Sequence, residues 1–287
     1  MGYTQPCSYR FGCSFAASEE PSVSLFELLI AFLILTFAVA LPFVYARLVT
    51  GGRTIERRPL PALDELNAAL ARAAETGKPI HLSPGAGALH GTAVDPESLA
   101  GLVLAQRVAA AAAGRGATIM ASSGDAVSHL ALRGMIRVAC RDAGYSEDFQ
   151  PDSIHLYADH DPLAFAAGLG NRYVSETMEA SVTVGAFGEA YLLAGEQGRQ
   201  HQIPQVAGTT NPTSLAAALL TANGTLLGEE IYAAEAYIAP TPLGIARLLT
   251  HDAIRFLLIT IIVVGLILVS LQDFGILSDS FQLLPTR

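Results

Sequence analysis

KPIHLSPGAGALHGTAVDPESLAGLVLAQRVAAAAAGRGATIMASS, residues 78–123, decides the fold. Its two ends, PIHLS (79–83) and ATIMASS (117–123), are short runs in which apolar and polar residues alternate, the two-residue period of a β-strand. Between them lies DPESLAGLVLAQRVAAAAAGRG (95–116), too long for a strand and rich in helix formers. Asp95 is placed to cap that helix and Pro96 suits its first turn. Strand, helix and strand in succession make one βαβ unit.

The unit recurs along the chain. ATIMASS leads into DAVSHLALRGMIRVACRDAG (125–144), and SIHLYAD (153–159) into DPLAFAAGLGNRYVSE (161–176), again with Asp then Pro at the helix start. ASVTVGAF (180–187) leads into EAYLLAGEQGR (189–199), and HQIPQVAG (201–208) into NPTSLAAALLTAN (211–223). Five such units predict an α/β domain with a parallel sheet of about five strands, covered on both faces. The layout is Rossmann-like or flavodoxin-like, since a barrel needs eight units. A helix, ALDELNAALARAAETG (62–77), precedes the first strand. Two helical stretches, GEEIYAAEAYIA (228–239) and TPLGIARLLTHD (241–252), follow the last unit, and the second of them runs into an apolar segment.

Over 287 residues the chain is 51% hydrophobic with mean hydropathy +0.41, and two runs carry much of the excess. Val23–Ala46 has Glu27 as its only charge, and Ala253–Leu271 has Arg255 at its edge. At 1.5 Å per helical residue each crosses most or all of a bilayer core of about 30 Å. Ala38-Val39-Ala40 resembles a signal-peptidase site, but the segment before the first run holds Glu19 and Glu20 and only Arg10, so a retained anchor is expected. Arg47, Arg53, Arg57 and Arg58 follow the first run, and Arg247 and Arg255 border the second. Cations mark the cytoplasmic side. The expected organisation is an external tail at 1–22, a span at 23–46, a linker at 47–60, a cytoplasmic α/β domain at 61–250, a second span at 253–271 and an external tail at 272–287. The lipid bilayer is then the first partner.

Net charge −9 argues against a nucleic-acid binder, which needs a basic face. Arg133, Arg137 and Arg141 share one helix face and read as a solvated stripe, with anionic headgroups or a protein partner as the alternative. Three cysteines give no disulfide framework and no C-x-x-C pair. Cys7 and Cys13 fall in the expected external tail, where a disulfide between them is an open alternative to free thiols, and Cys140 falls inside, where a reduced core thiol is the default.

In a parallel α/β sheet the loops leaving the strand C-termini share one edge, where ligands bind at a switch in strand order. Those loops carry Ser83, Gly85 and Gly87, then Ser122, Ser123 and Gly124, then Gly185 and Gly188, then Thr209 and Thr210. Small side chains and hydroxyls there suit a small polar or anionic ligand approaching the backbone. The glycine spacing of residues 85–91 resembles a dinucleotide fingerprint, but the helix begins four residues beyond Gly91 and the second strand ends in Ser122 and Ser123 rather than in an acid placed to hold a ribose. No phosphate loop of the G-K-[ST] type occurs. Asp125, Asp159, His160 and Glu189 are the acid–base candidates at this edge. A triad of Ser122 or Ser123 with His160 and Asp125 lacks a G-x-S-x-G elbow. His155, Asp159, His160 and Asp161 alternate along a strand end, which disfavours one metal, so no metal site is assigned. Glu229 and Glu230 diverge by about 100° on a helix, and Glu235 lies further along it.

PQVAGTTNPTSLAAALLTANGTLLGEEIYAAEAYIA and VGAFGEAYLLAGEQG, together with the two apolar runs, resemble an uncharacterised family of bacterial, Chloroflexota-like two-span membrane proteins that carry a domain of unknown function. The resemblance implies a bacterial membrane protein and supplies no activity, cofactor or catalytic residue. Two functions remain: a membrane-anchored ligand-binding or scaffold module, or an enzyme acting on a nucleotide or phosphorylated metabolite at the same edge. A membrane-protein partner or self-association is compatible with both.

Overall fold

The computed structural model describes residues 25–50, 58–90, 94–157 and 161–273. The chain divides into two compact units after Leu41. The first described helix, α1 (Leu25–Thr50), begins in the first unit, and everything from Pro42 onward belongs to the second. Cys7 and Cys13 lie outside the described residues.

Helix α2 (Pro61–Thr76) leads into β1 (Ile80–Gly85), α3 (Pro96–Ala113), β2 (Ile119–Ser123), α4 (Ala126–Asp142) and β3 (Ile154–Leu156). Then come α5 (Pro162–Ser175), β4 (Ala180–Ala186), α6 (Tyr191–Gln200), β5 (Gln205–Thr209), α7 (Pro212–Thr221) and β6 (Gly224–Leu227). All neighbouring strands are parallel, in the order β3-β2-β1-β4-β5-β6. The sheet thus grows outward from β1 in one direction and from β4 in the other, the doubly wound arrangement with its switch point between β1 and β4.

The sheet has six strands where the sequence indicates about five. The sixth, Gly-Thr-Leu-Leu, pairs with β5 from Val206↔Gly224 to Thr209↔Leu227. Four residues opening on glycine are too short to display a period, so only the partner strand reveals this one.

The alternation along the strands has a consequence that the pattern alone does not announce. One face presents Ile80, Leu82, Ile119, Ala121, Val182, Val184 and Val206 to a core closed by α2, α3, α4 and α8 (Glu230–Ile238). Full burial of leucines such as Leu66 and Leu70 on α2 stabilises the fold by about 1.5–3 kcal/mol each. The opposite face presents His81, Ser122, Ser181, Thr183 and Gln205, and these are buried as well, under α5, α6 and α7. Alternation normally signals a face in water; here it separates an aliphatic core from a polar one.

Small residues let α3 lie on the seam between β1 and β4. A methyl group at Gly101 would overlap the carbonyl of Val184, so the helix rests directly on strand backbone there. Ala105, Ala109 and Ala112 continue its buried face. Cys140 is buried on α4, as a core position requires.

The last helix, α9 (Pro242–Asp273), is continuous, joining the amphipathic stretch that packs on α8 to the apolar run beyond it. Among the described residues two segments are long and apolar enough to cross a membrane, Phe32–Thr50 and Pro242–Leu271.

Candidate functional site

The switch point between β1 and β4 is where a ligand is expected in this architecture. Each strand carries a positive-φ glycine at its end, Gly85 as the last residue of β1 at φ 86° and Gly185 as the last but one of β4 at φ 143°. These values fit the requirement for glycine, but what approaches the backbone is the chain itself. A methyl group on Gly85 would overlap the carbonyl of Ala186, and one on Gly185 the carbonyl of Pro84. Ala86 N–H donates to the Ala186 carbonyl at 2.7 Å, and Gly87 N–H to the same oxygen at 3.2 Å. The two strand-end loops are zipped together. Gly87 in turn faces Asp95 and Ser98, whose atoms occupy the space a side chain would need.

The helix N-termini at this edge are also engaged. Asp95 accepts from Glu97 N–H at 3.1 Å, Asp125 from Ser128 N–H at 2.7 Å, Asp161 from Leu163 and Ala164 N–H, and Asn211 from Thr213 N–H at 3.1 Å. These amides are the groups that would bind a phosphate, and side chains of the protein already satisfy them. Glu97 adds an internal anion. Its carboxylate accepts from the Thr209 hydroxyl at 2.8 Å, from Thr210 N–H at 3.0 Å and from the Thr210 hydroxyl. The donors at the end of β5 are thereby tied to the first turn of α3.

The remaining residues expected to bind a ligand hold the loops in shape. The Ser83 hydroxyl accepts from Gly85 N–H at 3.2 Å, and Ser123 donates to the Asp125 carbonyl at 3.2 Å. Ser122 lies 2.8 Å from His81 Nε2. Gly124 sits against Ala86 and Phe165, and Gly188 against Pro162. Both serines of the triad drawn from the sequence are therefore committed elsewhere.

Of the acid–base candidates, Asp159 and His160 lie outside the described residues. Asp125 is fully buried, whereas Glu189 is exposed at the mouth of α6. Burial pushes the Asp125 carboxyl up, but hydrogen bonds from Ser128, His90 and the Leu89 amide outweigh it and hold the group below its ordinary value. His90 Nδ1 lies 3.0 Å from Asp125 Oδ1, and the His90 side chain is 48% exposed. Among the described residues no three His, Cys, Asp or Glu side chains group as metal ligands. His155 stacks on Tyr157, with ring centroids 5.9 Å apart. Glu229, Glu230 and Glu235 face separate partners: Arg255, the Leu227 amide, and the pair Arg107 and Arg247.

Sequence reasoning missed the polar layer behind the switch point. His81 is fully buried on β1, with Nδ1 2.8 Å from Ser181 Oγ and Nε2 2.8 Å from Ser122 Oγ. Ser181 Oγ lies 2.6 Å from the Tyr173 hydroxyl, so a chain of hydrogen bonds crosses from β2 through β1 and β4 to α5. Burial, reinforced by the charges of Arg172 and His155, pushes His81 down to about 3, so the ring is neutral and one nitrogen donates while the other accepts. Burial also raises the Tyr173 phenol to about 12. The signal in the sequence was the polar half of each alternating strand, I-H-L-S and S-V-T-V. The members of this layer are buried and hydrogen-bonded to one another, and such a network fixes the register of the strands that carry it.

Two clefts lie along α9. One of about 290 Å³ is bounded by Leu99 and Val103 of α3, Tyr232 of α8, and Arg247 and His251 of α9. A second, of about 180 Å³, is lined by Arg58, Glu229, Tyr237, Leu248, Asp252 and Arg255. Burial pushes Glu235 up, but its hydrogen bonds to Arg107 and Arg247 prevail and keep its carboxyl below the usual range. That carboxylate joins α3, α8 and α9.

A family model described as a domain of unknown function, DUF6754, matches residues 18–280. No curated protein and no solved structure matches the chain.

Proposed function

We propose that this chain, which belongs to the DUF6754 family, is a membrane-anchored scaffold module, held in the bilayer by its apolar runs at residues 23–46 and 253–271, with its α/β domain on the cytoplasmic side. One observation carries the reading: the switch-point crevice, where a doubly wound sheet takes its ligand, is filled by the chain's own Ala186 carbonyl, Asp95, Ser98 and Glu97. An anion arriving there would have to displace a resident carboxylate and break three hydrogen bonds worth about 1 kcal/mol each, more where the acceptor is charged. The arginines flanking both apolar runs support the cytoplasmic orientation.

A second reading rests on the His90–Asp125 pair, a half-exposed imidazole oriented by a buried carboxylate, the arrangement of a general base. In that reading the module is an enzyme acting on a nucleotide or phosphorylated metabolite at the same edge. Thermal-shift titration of the purified full chain with nucleotides and sugar phosphates separates the two. The scaffold reading expects no shift in melting temperature with any of them; a saturable shift that His90→Ala abolishes would establish the second. Reporter fusions after residue 60 test the orientation, with fluorescence of a cytoplasmic reporter expected and alkaline phosphatase activity there contradicting it.

A further inference from the structure

The α8–α9 pair fixes which side of the domain meets the membrane. Gly244 packs on Ala236, Arg247 binds Glu235, and Arg255 binds Glu229. As the position on α9 rises, its partner on α8 falls, so the two helices are antiparallel and α9 climbs back alongside β6. Glu229 follows the C-terminal end of β6 by two residues. Arg255 is thus level with the strand C-terminal edge, and Phe256, the first exposed residue of the apolar run, comes next. No linker intervenes. The helix continues unbroken to Asp273, and one turn rises only about 5.4 Å.

The other end of the domain lies near the same cleft: Arg58, ahead of α2, lines the space that Glu229 and Arg255 share, while Ala62 in the first turn of α2 packs on Gly224 of β6. We propose that the strand C-terminal edge of the sheet lies against the bilayer, with the lipid headgroup layer as its partner. This rests on the membrane-anchored reading above and adds an orientation to it. The edge is suited to that contact: Val127, Leu163 and Leu192, each the second residue of its helix, and Leu227 at the end of β6 are exposed there, Leu163 by 58%. Aliphatic side chains at headgroup depth are stabilised by partial burial among lipids. Other exposed aliphatics, such as Leu219 and Leu220, lie on the opposite side, so the tether rather than the apolar count carries the assignment.

The test uses the full chain with Cys7 and Cys13 replaced by serine and buried Cys140 left in place, the unlabelled parent serving as control. Single cysteines at Leu163, Leu227, Lys78, Gln202 and Val263 carry an environment-sensitive fluorophore in phosphatidylcholine and phosphatidylglycerol vesicles, with nitroxide-labelled lipids as quenchers. Headgroup nitroxide should remove roughly half of the emission or more at 163 and 227 and leave 78 and 202 unchanged, because the opposite edge lies at least about 16 Å further away across a five-residue strand. Quenching at 263 by mid-chain nitroxide with none at 163 and 227 would overturn the orientation and leave the anchoring intact. Quenching at 78 and 202 instead would invert it. No quenching at 263 would sink the anchoring and the orientation together.

Discussion

Replacing His81 with glutamine should flatten the acid limb of the stability profile. His81 is neutral in the folded chain because burial pushes it from about 6.5 to about 3. The folded state therefore binds fewer protons than the unfolded state between these values, and stability that is fully present above pH 6.5 is lost as pH falls toward 3. At 1.36 kcal/mol per unit, lowering pH from 7 to 4.5 costs about 2.5 kcal/mol from this one group. In a domain of this size that lowers the melting temperature by roughly 5–10 °C. Asp125 and Glu235 are held below their ordinary values, so their contributions fade mostly below pH 4.5 and leave the window clear. His155 is also pushed down, by burial first, and adds a loss of the same sign. The assay is thermal unfolding of the full chain in detergent, followed by circular dichroism at a series of pH values, for wild type, His81→Gln and His155→Gln. Glutamine keeps a donor and an acceptor between Ser122 and Ser181 but does not titrate. The His81 variant is expected to be less stable at pH 7 and to lose about 2.5 kcal/mol less than wild type on acidification. Parallel profiles for the two proteins would refute the reasoning, because they would mean that His81 titrates alike in both states.

Four further substitutions probe the packing. Gly101→Ala drives a methyl into the Val184 carbonyl and should cost about 1–3 kcal/mol, whereas Gly134→Ala, on α4 with nothing within 4 Å, should gain about 0.5–1 kcal/mol; chemical denaturation of both reads the contrast. Glu97→Gln keeps the shape but weakens the hydrogen bonds to Thr209 and Thr210, an expected loss of about 1–2 kcal/mol in the same assay. Glu235→Ala leaves Arg107 and Arg247 facing each other without their shared carboxylate, and an expected loss of about 2–4 kcal/mol should be partly restored when Arg107 is also made alanine.

The fold class was readable because three helices of the βαβ units announce their starts: Asp95-Pro96, Asp161-Pro162 and Asn211-Pro212 open helices in the structure as in the sequence, each capped by its Asp or Asn. Strand β6 was not readable, since pairing with β5 and not its own four residues makes it a strand. The site divides in the same way. Glycines at 85, 87 and 185 mark close backbone approach, and that much follows from residue type. Whether a ligand or the chain itself does the approaching depends on Ala186, Asp95 and Glu97 arriving from distant segments, which no local pattern encodes. His81 was passed over for a related reason. Its burial follows from a sheet covered on both faces, but its bonds to Ser122 and Ser181 depend on β2, β1 and β4 lying side by side, and no local pattern encodes strand order.

The central claim is that the switch-point crevice is occupied by the protein's own groups. Native mass spectrometry of the full chain, released from mild detergent without prior washing in salt, tests it most directly. The expected spectrum is the mass of the chain alone or with lipid adducts; a nucleotide, dinucleotide or sugar phosphate retained at one per chain would contradict the account.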